Sequence, residues 1–151
     1  MSKIKLSIII VHYRNQKALF ECLDSIYRQE TKTPFKIIVV DNDEEKSIEK
    51  SLKRKFPLVI YVKSPGNIGY ASGNNLGAAE AKGEYLFILN PDTEILPGSI
   101  DSLVKFFKSK RKAGIVAPTL IDKNSKIYPL QGTKQLTPIR AIFSLSFINK
   151  L

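Results

Sequence analysis

Residues 67–94, NIGYASGNNLGAAEAKGEYLFILNPDTE, bring together three kinds of group that suit a phosphorylated ligand. Gly69, Gly73 and Gly77 recur every fourth residue, so on a helix they line one face, bare of side chains. An apolar run, Tyr85 to Leu89, follows and ends in the acidic turn Asn90-Pro91-Asp92. Asp92 is a hard-oxygen donor of the kind Mg²⁺ and Mn²⁺ favour, where one or two carboxylates are completed by substrate phosphates. Bare helix face, strand and terminal carboxylate together read as a site for a nucleotide diphosphate and its metal. Each piece also has a plainer reading. The glycines suit close helix–sheet packing, against which the adjacent amides Asn74 and Asn75 weigh, and N-P-D-T is by itself an ordinary turn.

A second candidate carboxylate, Asp41, closes the run FKIIVV and has Asp43 beside it. It can accept from the N–H of a nucleobase or bind a ribose hydroxyl; alternatively it caps a turn or the following helix. His12, the only histidine, follows the first apolar run and reads as a rim residue, since no carboxylate or serine partner is visible near it in the sequence. No G-x-G-x-x-G follows that run and no G-x-x-x-x-G-K-[ST] occurs, so neither common phosphate-binding fingerprint is present. One cysteine, Cys22, and one histidine exclude a disulfide framework or a Cys/His zinc site within the chain.

These groups need a scaffold, and the chain supplies a regular one. KLSIIIV (5–11), FKIIVV (35–40), Leu58–Val62, Tyr85–Leu89 and Gly114–Ala117 read as strands, the first two as buried parallel ones. Between them lie helical patterns: Ala18, Leu19, Cys22, Leu23 and Ile26 after a capping Asn15; Ile48 and Leu52; the small-residue stretch up to Ala81; and Ile100, Leu103, Val104 and Phe107, with Pro97 in the first turn. Leu120–Ile121 and Lys126–Leu130 predict a hairpin around Asp122-Lys123-Asn124-Ser125. The order βαβαβαβαβ plus hairpin is that of an α/β, mostly parallel sheet flanked by helices. Ligands of such sheets bind beyond the carboxyl ends of the strands. His12-Tyr13-Arg14-Asn15, Asp41-Asn42-Asp43 and Asn90-Pro91-Asp92 all fall at such ends.

At 151 residues and 43% hydrophobic, the chain can bury a single domain's core. No apolar run reaches the ~20 residues a membrane-spanning helix needs, and nothing at the start reads as a secretory signal, so a cytoplasmic setting is expected. The net charge of +10 is uneven. Residues 1–100 hold 14 Lys+Arg against 12 Asp+Glu, residues 101–151 hold 10 against 2. A basic end section suits a phosphorylated ligand, anionic lipid or simply solvent; a nucleic-acid reading lacks interleaved aromatics and any known motif. The segment LTPIRAIFSLSFINKL (136–151) is apolar and too short to span a bilayer, so it is expected to dock on a further part of the domain or to lie at the membrane interface.

SIIIVHYRN, IIVVDND and above all NIGYASGNNLGAAEAKGEYLFILNPDTEI resemble family 2 glycosyltransferases of the GT-A, Rossmann-like fold, over roughly residues 5–120; the N-P-D-T form is similar to the rhamnosyltransferase-like subgroup. The resemblance implies transfer of a sugar from a nucleotide-diphosphate donor, such as dTDP-rhamnose or a UDP-sugar, to a saccharide or lipid-linked acceptor hydroxyl with inversion, for cell-surface polysaccharide or glycolipid synthesis. On this sequence it puts Val11, His12 and Tyr13 against the nucleotide, Asp41 on the base, and Asn67, Gly69 and Asn74 along the donor. Asn90 and Asp92 occupy the family's D-x-D position; with Asn90 in the first place, Asp92 is the implied ligand of Mg²⁺ or Mn²⁺. The family's general base, an Asp or Glu well after this motif, has no counterpart here: only Asp101 and Asp122 follow Glu94. The implied organisation is a donor-binding domain at 1–130 and an irregular tail at 131–151 that begins an absent acceptor-binding part. The expected location is cytoplasmic, with peripheral contact at the inner membrane face as the second option for the tail. The alternative is a non-catalytic nucleotide-sugar binding fragment that needs a partner chain.

Overall fold

Leu6–His12 forms β1, a strand buried along its whole length, and the rest of the fold is arranged around it. The structure is a computed structural model and describes residues 4–122 and 124–127. The elements that follow are α1 (Gln16–Tyr27), β2 (Phe35–Asp41), α2 (Glu49–Lys55), β3 (Ile60–Lys63), α3 (Tyr70–Ala79), β4 (Tyr85–Leu89) and α4 (Ser99–Ser109). The four strands make one parallel sheet in the order β3-β2-β1-β4. The order reverses at β1, so the crevice at its carboxyl end is where a ligand of such a sheet is expected.

Alternation along β1 sends its side chains to two cores. Leu6, Ile8 and Ile10 join Ile37 and Val39 of β2, Leu19, Leu23 and Ile26 of α1, Leu52 of α2 and Ile100 of α4. Ile9 and Val11 face the other way with Ile38 and Val40, and Leu76 of α3 packs on them. Helices therefore cover both faces, as the alternating pattern predicts. The cover is uneven: Leu86 and Ile88 of β4 are 52% and 43% exposed. Their register partners are Ser7 and Ile9, which puts them on the α3 side of the sheet.

Asn15 caps α1, its side chain accepting from the N–H of Ala18, and Leu19, Cys22, Leu23 and Ile26 are buried. The third strand begins two residues later than its sequence suggests. Leu58 is 66% exposed in the turn after Pro57, and pairing starts where Ile60 comes level with Ile38. Pro97 stands before α4 rather than inside it, because Gly98, at φ 76, makes the entry turn.

The chain divides into two compact units, Met1–Lys112 and Ala113–Leu151. In the second, residues 114–117 form no strand: they have no pairing partner among the described residues, and Ile115 is 90% exposed. Of the expected hairpin, the described residues show its antiparallel pairing at Ile121 with Ile127. Its turn is held by Asp122, whose carboxylate accepts from the N–H groups of Asn124 and Lys126 at 2.8 and 2.9 Å. Residues 128–130 of that hairpin and the tail 131–151 lie outside the described residues.

Candidate active site at the carboxyl ends of β1, β2 and β4

Parallel register brings the ends of β1 and β2 level: His12 pairs with Asp41, and the N–H of Asn42 donates back to the His12 carbonyl at 2.9 Å. Both side chains are buried, His12 at 1% and Asp41 at 0% exposure, with Nδ1 3.1 Å from Oδ1. The Tyr61 hydroxyl donates to Asp41 Oδ2 at 2.8 Å, and the N–H groups of Ile48 and Asp43 reach the same carboxylate at 3.3 Å. Burial pushes the Asp41 carboxyl up, but the hydrogen bonds from Tyr61, His12 and the two N–H groups outweigh it and hold it below the ordinary carboxylate range. Burial, with the adjacent carboxylate, pushes the Tyr61 phenol up to about 12. An ionised Asp41 cannot donate, so His12 Nδ1 carries the proton between them. His12 Nε2 is buried and has no hydrogen-bond partner among the described residues. His12 is thus not the rim residue its position suggests; its partner is 29 residues away and becomes its neighbour only through strand pairing.

Asn42 is the linchpin of the next wall. Its Nδ2 donates to Asn67 Oδ1 at 3.0 Å, and its Oδ1 accepts from the N–H of Ile68 at 3.2 Å. The loop ahead of α3 is thereby pinned to the end of β2. Gly69 is the N-cap of α3 at φ 81 and ψ 169, a conformation only glycine adopts without strain.

The glycine face of α3 does not face a ligand. A Cβ on Gly73 would stand 2.9 Å from Val11 Cγ1, and one on Gly77 would stand 2.5 Å from Ile9 Cγ2. The packing reading therefore holds for these two. The absent side chains let α3 sit down on the β1–β2 surface. Asn74 turns back on its own helix, donating to the Tyr70 carbonyl at 3.0 Å.

The third wall is the turn after β4. Pro91 occupies its second position, where a fixed φ suits the turn, and the N–H of Thr93 donates to the Asn90 carbonyl at 3.3 Å. The segment that follows the turn is tied to α1: the N–H of Ile95 donates to Ser25 Oγ at 2.9 Å, and Gln29 Nε2 donates to the Ile95 carbonyl at the same distance. Beneath the turn lies Cys22, its thiol 3.7 Å from the Asn90 carbonyl and pushed up to about 12 by burial and then by Asp92. Such a thiol is a packing group, not a nucleophile.

A cleft of about 380 Å³ opens between these walls. Of the sequence-predicted residues, Val11, Tyr13, Asn67, Asn90 and Asp92 line it. His12, Asp41, Gly69 and Asn74 do not; Asp41 and His12 lie sealed behind the strand ends. Asn15, Ala18, Asn42, Tyr70 and Pro91 complete the lining. Of these, Asn42 next to Asp41 and Asn15 two residues after Tyr13 carried a usable sequence signal; Tyr70 gave none. The floor is aromatic and amide, with Asp92 the single carboxylate in the lining. That composition suits a planar base or a sugar with several hydroxyls, with one carboxylate as anionic oxygen ligand. Tyr13 is 39% exposed, and Arg14 holds it by stacking 4.9 Å above the ring while pairing with Glu44 and Glu45 at 3.1 and 2.8 Å.

Asp92 fits a divalent metal only in part. No group of three or more His, Cys, Asp or Glu gathers anywhere among the described residues. A lone exposed carboxylate suits a cation whose other ligands are water and ligand phosphates, which is the habit of Mg²⁺. Asn90 Oδ1, the other oxygen of the motif, already accepts from Tyr70.

Compared with known proteins, the sequence matches the glycosyl transferase family 2 model over residues 7–145. The glycosyltransferase YwdF of Bacillus subtilis is 34% identical over 103 residues, 68% of this chain and 38% of that protein. The N-acetylglucosaminyl-diphospho-decaprenol L-rhamnosyltransferase of Mycobacterium tuberculosis is 26% identical over 110 residues, 66% of this chain and 36% of that one. Among solved structures, the mannosyltransferase PcManGT from Pyrobaculum calidifontis, in complex with GDP-Man and Mn²⁺, has a TM-score of 0.58 at 23% identity, over 74% of this chain and 34% of that one. This last likeness is one of fold, and the chain spans less than half the length of each of these proteins.

Proposed function

The chain belongs to glycosyl transferase family 2, and we propose that it supplies the donor-binding part of an inverting, divalent-metal-dependent transferase that moves a sugar from a nucleotide diphosphate to an acceptor hydroxyl. The observation that carries this reading is the cleft itself. It gathers two exposed tyrosine rings, four asparagines and one carboxylate at the reversal point of a parallel sheet. Tyr13 stacks on the base, Asn42 and Asn67 hold the loop that borders the ribose, and Asp41 recognises the base from the end of β2. In that role Asp41 gives up one of its present donors when the nucleotide enters. The complex of PcManGT with GDP-Man and Mn²⁺ supports both donor class and metal. Asp92 would hold Mg²⁺ or Mn²⁺, with ligand phosphates completing its shell; such an ion neutralises charge on a leaving diphosphate. The relative named for a decaprenol diphosphate substrate supports a lipid-linked acceptor and a role in cell-surface polysaccharide or glycolipid synthesis.

Calorimetry of the chain against UDP, GDP and dTDP sugars, with Mn²⁺ and with chelator, tests this. Metal-dependent binding of one donor supports it, and no heat with any donor overturns it.

A second reading has its own observation. Acceptor attack needs a base to take the hydroxyl proton, and the two carboxylates after Glu94 are already committed. Asp101 accepts from the hydroxyls of Thr31 and Thr33 at 2.7 and 2.5 Å, and Asp122 holds its turn. The chain then binds donor without transferring it unless another chain or segment brings the base. Single-turnover transfer to a panel of lipid-linked and soluble acceptors separates the two readings: saturable transfer by this chain alone removes the second.

A further inference from the structure

α4 is amphipathic in an ordinary way on its inner side and an unusual way on its outer one. Ile100 and Val104 are buried and Leu103 and Phe107 half-buried. The outer side and the residues just after it expose Lys105, Phe106, Lys108, Lys110, Arg111 and Lys112. Five cations thus fall within eight residues, and no Asp or Glu occurs anywhere from Ser102 to Ile121.

Elsewhere in the first unit about half of the cations are paired, among them Lys5 with Glu84, Arg14 with Glu44 and Glu45, Arg28 with Glu94, Lys53 with Glu49 and Lys55 with Asp24, and the exposed ones that are not, Lys32, Lys46, Lys50, Arg54 and Lys82, are scattered rather than clustered. None of the five at the end of α4 makes an ion pair among the described residues. The closest influence is that of Lys108 on Glu84, a carboxylate already held by Lys5. The negative end of the helix dipole accounts for Lys108 and Lys110, since its reach is the last turn, but not for Lys105, Arg111 and Lys112. Amid the cations sits Phe106, 52% exposed, with Lys110 Nζ 5.4 Å from its ring centroid.

We propose that the exposed end of α4, Lys105 to Lys112, is a docking surface for an anionic lipid bilayer. Unpaired cations on a convex helix end meet a plane of phosphate headgroups all at once. A phenylalanine among them is costly in water and gains at the headgroup–acyl boundary. Duplex nucleic acid is the poorer fit: its recognition calls for a groove-filling element with polar side chains on base edges, and this surface offers one apolar ring. The surface lies on a different element from those lining the cleft, so it does not rest on the donor-binding reading. It would hold the cleft near an acceptor that resides in the membrane.

The test is flotation of the chain with vesicles of phosphatidylcholine, alone or with about a third phosphatidylglycerol, at low and high salt. Binding is expected only with the anionic lipid and only at low salt. Each cation contributes about fivefold in partitioning, so the triple variant Lys105→Gln/Lys108→Gln/Arg111→Gln should lose about 100-fold. Phe106→Ser should weaken binding several-fold with all charges intact. Circular dichroism confirms folding, and nucleotide affinity of the triple variant should match the parent. Vesicle binding unchanged in the triple variant, equal binding to neutral vesicles, or tighter binding to arbitrary duplex DNA through the same residues would each overturn the assignment. Loss of vesicle binding in parent and variant alike, with donor still bound, removes this surface and leaves the cleft's reading untouched.

Discussion

The Tyr70 hydroxyl donates to Asn90 Oδ1 at 2.7 Å, joining the first residue of α3 to the turn after β4 across the mouth of the cleft. The bond spends the first oxygen of the N-P-D motif on the protein's own architecture. It leaves Asp92, two residues on and exposed, as the carboxylate able to meet a cation.

Metal dependence should therefore follow Asp92 alone. Asp92→Asn should bind a nucleoside diphosphate equally with Mn²⁺ and with chelator. Asn90→Ala should keep the metal effect while loosening the mouth, at roughly 0.5–1.5 kcal/mol for the lost hydrogen bond. Calorimetry of the two variants decides it: a metal effect that survives in Asp92→Asn, or vanishes in Asn90→Ala, contradicts this division of roles.

Asp41 carries a different kind of consequence, because its carboxylate is fully buried and serves four donors. Asp41→Asn replaces one oxygen by an N–H₂ and leaves a buried donor such as the Ile48 N–H facing another donor. The stability loss should be about 1–3 kcal/mol by chemical denaturation. If Asp41 also reads the base, the folded variant should lose affinity for the whole nucleotide but not for inorganic pyrophosphate. Equal losses for both ligands would make it a residue of the scaffold only.

Much of this fold can be read from the chain, and the misreadings have a common cause. The apolar β-branched runs of β1 and β2, the capping Asn15 and the apolar stripe of α1 are local signals and identify their elements directly. What sequence does not carry is direction and partnership. Gly73 and Gly77 mark a bare helix face, but only the packing reveals that it turns to Val11 and Ile9 rather than to a ligand. His12 finds Asp41 through register, and Tyr70 finds Asn90 across 20 residues. Residues 114–117 are as apolar as a strand, yet a strand needs a neighbour to pair with, and none is found among the described residues.

The close seat of α3 gives a stability prediction of its own. Gly77→Ala places a methyl 2.5 Å from Ile9 Cγ2 and 3.1 Å from Val40 Cγ2. Helix propensity alone favours alanine by about 0.8–1.0 kcal/mol. Overpacking typically costs about 1–3 kcal/mol, and the neighbours here are β-branched strand residues with little room to turn. The net change should be destabilising. A variant as stable as the parent, measured by thermal unfolding, would show that α3 lifts from the sheet at little cost.

Acid should loosen the joint between α4 and the α1–β2 loop. Asp101 accepts from the Thr33 and Thr31 hydroxyls and from the N–H groups of Lys32 and Thr33 at 3.0 and 3.1 Å. The hydrogen bond from the Thr33 side chain, then those from the Lys32 N–H and the Thr31 hydroxyl, hold its carboxyl down to about 2. An unfolded chain protonates an aspartate near ~3.9. The folded pKa is the lower one, so the unfolded state takes up the proton first and stability falls as pH falls. The contribution is whole above about pH 4 and is lost between about 4 and 2. Asp101→Asn keeps the shape but cannot titrate. It should be less stable than the parent at neutral pH, and the gap should close as the pH drops through that window. Denaturation midpoints taken every half unit of pH give the comparison. A gap that stays constant down to pH 2 would mean that the Asp101 carboxylate is no better stabilised in the folded chain than in the unfolded one, and that this joint is held by packing alone.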